Sequence, residues 1–131
     1  MKYIPTIIFV LFLGCTDDDL SSNQTDHEII GKWQLEATKI SPGGLVDWSD
    51  VTNGEIYEFK TDGKIILSKW DVCKGPINGT FFIDEDKLFL RFSCNSQSYE
   101  PNYNIWFEDG KLILGFIGCI EECSYRFKPL E

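Results

Sequence analysis

From residue 31 to the end of the chain, apolar side chains recur at every second position, and no stretch keeps a helical period for three turns. "KWQLEAT" (32–38) alternates strictly, with Trp33, Leu35 and Ala37 on one face and Lys32, Gln34, Glu36 and Thr38 on the other. A long Gly/Pro/Asp-containing loop (40–53) follows, then "EIYEFK", "KIILSKWDV", "GTFFID", "KLFLRFS", "YNIWF", "KLILGFIG" and "SYRFKPL", which with the first make eight predicted strands. "TDG" at 61–63, the acidic turn at 84–86 and "EDG" at 108–110 are tight connections built from residues that tolerate positive φ. Links this short make successive strands antiparallel neighbours. The expected fold is all-β: an eight-stranded antiparallel up-and-down barrel, whose closure removes exposed edges.

The first residues follow a different pattern. Lys2 precedes Tyr3 to Leu13, an apolar run too short for the roughly 20 residues of helix that span a bilayer, and of the right length for the apolar core of a secretory signal. The Phe12-Leu13-Gly14-Cys15 stretch that ends it resembles a bacterial lipobox, which implies cleavage behind Gly14 and lipidation of Cys15. Several acyl chains at about 0.8 kcal/mol per buried methylene hold a protein stably at a membrane. Polar residues dominate from Cys15 to His27, so this segment is expected to be a flexible acidic tether. Asp17, Asp18 and Asp19 look similar to the acid-rich signals that send lipoproteins of the Bacteroidetes to the outer face of the outer membrane; a merely solvated spacer has the same composition. The expected organisation is a lipoprotein signal peptide over 1–14, a tether over 15–27 and one barrel domain over 28–131, lipid-anchored at the outer membrane.

Composition narrows the classes of function. Ten phenylalanines, five tyrosines and four tryptophans supply enough bulk for a core without a metal to organise it. A net charge of -9 with no Lys/Arg cluster argues against nucleic acid as a partner. Setting Cys15 aside leaves Cys73, Cys94, Cys119 and Cys123, an even set that fits two disulfides in an exported chain. "CIEEC" is not read as a metal half-site, because no second close pair exists and the one histidine, His27, lies on the tether side. No cofactor is implied. An enzyme is not expected, since the barrel offers no histidine, no free cysteine, no nucleophile elbow and no phosphate loop. The Asp84, Glu85, Asp86 cluster reads as a solvated hairpin and not as a calcium or acid/base site.

Tracing the meander from a base at residue 31 brings the ends at Cys73, Cys94 and Cys119 and the start at Cys123 to one end of the barrel. Cys73 and Cys94 flank the same end of the fourth strand, while Cys119 and Cys123 close one short turn. The expected pairs are 73 with 94 and 119 with 123, bracing an open mouth.

Gly31-Lys32-Trp33 matches the lipocalin Gly-x-Trp on the first strand, and Arg126 on the last strand occupies the place of the arginine that packs across that tryptophan. Over 28–131 the chain thus resembles a lipocalin-like lipoprotein domain of Bacteroidetes type. The resemblance implies an N-terminal turn closing the base, an open mouth and a cavity for a small apolar molecule, with Gly31, Trp33 and Arg126 as structural residues of the base. From alternation, the inward residues near the mouth are Ala37, Tyr57, Phe81, Phe92, Tyr103, Phe116 and Tyr125, with Trp48 on the covering loop and Ala37 and Gly115 as gaps that leave room. The same side chains could instead interdigitate and fill the barrel. The expected function is binding of a small hydrophobic molecule at the cysteine-bearing end. The alternative is a cell-surface interaction or inhibitor module that uses the top loops, with Trp48 as anchor.

Overall fold

A sheet with one apolar face buries it against another layer or by curling back on itself, and this chain closes completely. A computed structural model describes residues 28–130; the segments expected to be a signal peptide and a tether, with Cys15, lie outside the described residues. The strands are β1 (Gly31–Ser41), β2 (Ser49–Asp50), β3 (Ile56–Phe59), β4 (Lys64–Trp70), β5 (Cys73–Asp84), β6 (Lys87–Cys94), β7 (Gln97–Tyr99), β8 (Asn102–Glu108), β9 (Lys111–Phe116) and β10 (Glu122–Leu130). Eight of them pair antiparallel in the order β10-β9-β8-β6-β5-β4-β3-β1, and β10 pairs with β1 along Lys32 to Ser41 to close the ring. The expected eight-stranded up-and-down barrel is present. All of its strands and both disulfides fall within 28–130, so this segment is a complete barrel.

The two extra strands subdivide walls of the barrel. One edge of β1 is occupied by β10, so β2 and β3 share its other edge, β3 along Gly31 to Gln34 and β2 at Ala37 and Thr38. In the same way β7 and β8 share one edge of β6. The break between them falls at Pro101, which has no N–H to give to a ladder.

Three departures from strict alternation matter for the site. In β1 the pairing steps from Leu35 opposite Phe127 to Ala37 opposite Arg126, so Glu36 is the extra residue of a bulge. Residues paired side by side share a face. Ala37 therefore shares the outer face with Arg126, and Thr38 shares the inner one with Tyr125. In β4 a second irregularity lies between Leu67 and Lys69. Opposite it, β5 begins at Cys73, six residues earlier than the predicted "GTFFID", and carries Pro76 at the gap in the ladder where no N–H is required. The longer β5 moves Phe81 from the mouth to the base, where its N–H donates to the Gly63 carbonyl of the "TDG" turn.

The base is closed by packing. Ile29 is fully buried and its carbonyl accepts a 2.7 Å hydrogen bond from the Trp33 indole, whose ring lies 6.0 Å from that of Phe107. Phe59, Ile65, Leu67, Leu88, Leu90, Leu112 and Phe127 fill the space above. Gly31 takes φ +131°, a backbone state that favours glycine, where the chain turns from Ile29 into β1.

Candidate functional site

The strand directions bring Trp70, Cys73, Cys94, Tyr99 and Glu122 to one end, opposite the base. Cys73 is joined to Cys94, and Cys119 to Cys123, the pairs expected from the strand tracing. The first bridge ties the start of β5 to the end of β6, and the second closes the β9–β10 turn.

Beneath this end the barrel is hollow. A cavity of about 510 Å³ is lined by Tyr57, Tyr103, Tyr125, Trp70 and Tyr99, with Leu114 and Phe127 among its apolar wall and Glu55, Lys69 and Asp71 as its ionisable groups. This lies within the usual range for small-molecule sites. The barrel is thus filled in its lower half and open in its upper half. Large side chains from facing strands meet near the base, whereas nearer the mouth the tyrosines leave space between them.

The three inner tyrosines come from strands far apart in sequence. Tyr57 pairs with Trp33 and Leu67, Tyr103 with Leu88 and Phe116, and Tyr125 with Leu114 and Thr38, which fixes all three on the inner face. Among the described residues no side-chain hydrogen bond of the protein engages their hydroxyls, and no fully buried polar side-chain atom lacks a partner, so the hydroxyls face the cavity. Burial raises the pKa of Tyr57, Tyr103 and Tyr125, with the Glu55 carboxylate adding to the effect in each. All three remain neutral phenols that donate and accept hydrogen bonds.

The other predicted site residues divide into groups. Phe92 stands behind the cavity, with ring-centroid distances of 4.9 Å to Trp70 and 5.5 Å to Tyr99. Phe116 is at the rim, 37% exposed and 5.7 Å from Tyr103. Phe81 is at the base against Phe59, with 5.0 Å between centroids, and takes no part in the site.

Ala37 and Trp48 belong to the outer wall. The bulge at Glu36 turns Ala37 outward, where it is fully buried opposite Asp50 of β2. Trp48 lies against that wall, its ring centroid 4.8 Å from the Arg126 guanidinium carbon and 5.7 Å from Lys39 Nζ. Arg126 accordingly does not pack across Trp33, which faces inward and pairs with Pro129. Gly115 is not an inner gap either: it pairs with Ser124 and Asn104, and the Trp106 ring lies over it 3.3 Å from where a Cβ would be.

Sequence reasoning missed Trp70, Tyr99, Glu55, Lys69 and Asp71. Trp70 sits beyond the β4 irregularity, so counting by twos from Ile65 turns it outward. Tyr99 lies on the three-residue β7, too short to register as a period.

No family model matches the chain, and no curated protein matches it. Among solved structures it is similar to an uncharacterized protein from Bacteroides eggerthii DSM 20697, with a TM-score of 0.55 and 15% identity over 78% of this chain and 99% of that one. The likeness is one of fold.

Proposed function

We propose that this chain is a membrane-anchored lipoprotein, tied by lipid at Cys15 to the outer membrane, whose lipocalin-like barrel binds a small, largely apolar molecule at its open end. The observation that carries the binding reading is the 510 Å³ hollow above a filled base. A barrel selected for stability alone gains from filling such a space, because each unfilled region forfeits dispersion contacts. Neutral tyrosine hydroxyls supply the few polar groups by which such sites orient a ligand.

Trp70 in the cavity wall is the natural reporter. An uncharged hydrophobic dye titrated into the domain of residues 28–131 changes tryptophan fluorescence saturably and raises the melting temperature, since a ligand of the folded state alone stabilises it. A broad panel of uncharged apolar compounds without any saturable response rejects the reading. The anchor has its own test: Cys15→Ala releases the protein from membrane fractions. Continued detergent-sensitive sedimentation of that variant contradicts lipidation.

A second reading, an interaction module that uses the mouth loops, is favoured by the apolar side chains exposed at the same end: Ile40, Leu45, Val72, Ile117 and Ile120. The two readings separate by mutation. Leu45→Asp with Ile120→Asp removes partner binding under the second and leaves uptake of the dye intact under the first.

A further inference from the structure

The ionisable groups of the cavity are unequal in number and in depth. Glu55 is half-buried in its wall, whereas Lys69 and Asp71 are exposed. Charges open to solvent act weakly, and a half-buried carboxylate retains more of its field. Among the described residues no ion pair or side-chain hydrogen bond engages the Glu55 carboxylate, Lys69 included. It is therefore a carboxylate without a direct partner at the wall of a largely aromatic chamber.

The chamber itself favours positive charge. Tyr57, Tyr103, Tyr125, Trp70 and Tyr99 line it, and aromatic faces attract organic cations through the ring quadrupole, most strongly where water is excluded. Phenolic hydroxyls present oxygen lone pairs to the same region.

We infer that the cavity selects organic ammonium compounds, in which a cationic nitrogen near Glu55 and the tyrosine rings is joined to an apolar body that fills the space above Leu114 and Phe127. This deepens the cavity-binding reading and rests on it. Glu55, Tyr57, Tyr103 and Tyr125 all line the one cavity, which gives the four groups a common focus. A carboxylate ligand of the same size meets repulsion from Glu55. An alcohol meets neither attraction nor repulsion of that kind.

Three ligands with the same tail separate these cases: decyltrimethylammonium, decanol and decanoate, each titrated calorimetrically below its micelle concentration into the domain of residues 28–131. The ammonium is expected to bind about tenfold or more tightly than decanoate, with decanol between them. Glu55→Gln is expected to bring the ammonium close to decanol, each measured on the same variant, with far-UV circular dichroism and an unchanged melting temperature reporting that the variant is folded. Equal or tighter binding of decanoate by the unaltered protein overturns the inference and leaves the cavity-binding reading standing. An undiminished ammonium preference in folded Glu55→Gln also overturns it. Saturable binding by none of the three rejects both.

Discussion

Arg126 on β10 donates from Nε to Glu36 Oε2 at 2.7 Å, across the seam where the last strand closes onto the first. Lys111 Nζ of β9 reaches the other oxygen of the same carboxylate at 2.8 Å. One side chain thus ties together three adjacent strands. It can do so because the bulge turns Glu36 and Ala37 to the outer face together, opposite Arg126. The arginine that the family resemblance places at the base instead holds the seam from outside, with Trp48 over its guanidinium.

The seam carries a pH dependence with a definite sign. Burial alone raises the Glu36 pKa, but the hydrogen bonds and charges of Lys111 and Arg126 outweigh it, and the net shift is downward from the ordinary 4.5. A depressed carboxylate stabilises the fold fully above its unfolded pKa, and that contribution is lost as pH falls through the lower folded value. Urea titrations at pH 7 and at successively lower pH should show this loss in the native protein and a flatter profile in Glu36→Gln. At pH 7 the variant should be about 1–3 kcal/mol less stable, as expected for charge-assisted hydrogen bonds at a partly exposed site.

Substitutions at Ala37 and Leu114 distinguish outer wall from cavity. Ala37→Trp should cost about 1–3 kcal/mol by forcing bulk beneath the β1–β2 connection, and it should leave binding of the uncharged dye unchanged. Leu114→Trp, at the cavity wall, should abolish dye binding while far-UV circular dichroism still reports strand. Loss of dye binding in a folded Ala37→Trp protein would contradict the outward assignment.

The two disulfides should contribute unequally. Cys73 and Cys94 are separated by 21 residues and Cys119 and Cys123 by 4. The chain-entropy relation then gives about 3 kcal/mol for the first and about 2 kcal/mol for the second. Denaturation of Cys73→Ser/Cys94→Ser and of Cys119→Ser/Cys123→Ser measures the difference. Non-reducing peptide maps of the unaltered protein should contain both pairs and no free thiol among the four.

At the base, Trp33→Phe keeps most of the ring packing against Phe107 and removes the indole donor, leaving the buried Ile29 carbonyl without its partner. A loss of about 1–3 kcal/mol is expected, read as a lower urea midpoint with an unchanged slope. The cavity lies at the other end, so dye affinity should not change.

The sequence by itself determined the eight barrel strands, their antiparallel order, the closure into a barrel and the pairing of the cysteines, but not the short β2 and β7. Each follows from local information: a period of two, turn residues at fixed points, and the rule that a meander returns alternate connections to the same end. Tyr57, Tyr103 and Tyr125 were legible as inner residues for the same reason, since no bulge separates them from the strand segments that set their register. Only the tertiary structure decided which way Ala37 and Trp70 face, how far β5 extends, and that Arg126 meets Glu36 and not Trp33. A bulge is one extra residue whose position is fixed by pairing with a strand remote in sequence, here β10 for Glu36, and every side chain beyond it changes face. The hollow itself depends on how far opposite walls stand apart once the ring closes, a distance that no single strand encodes.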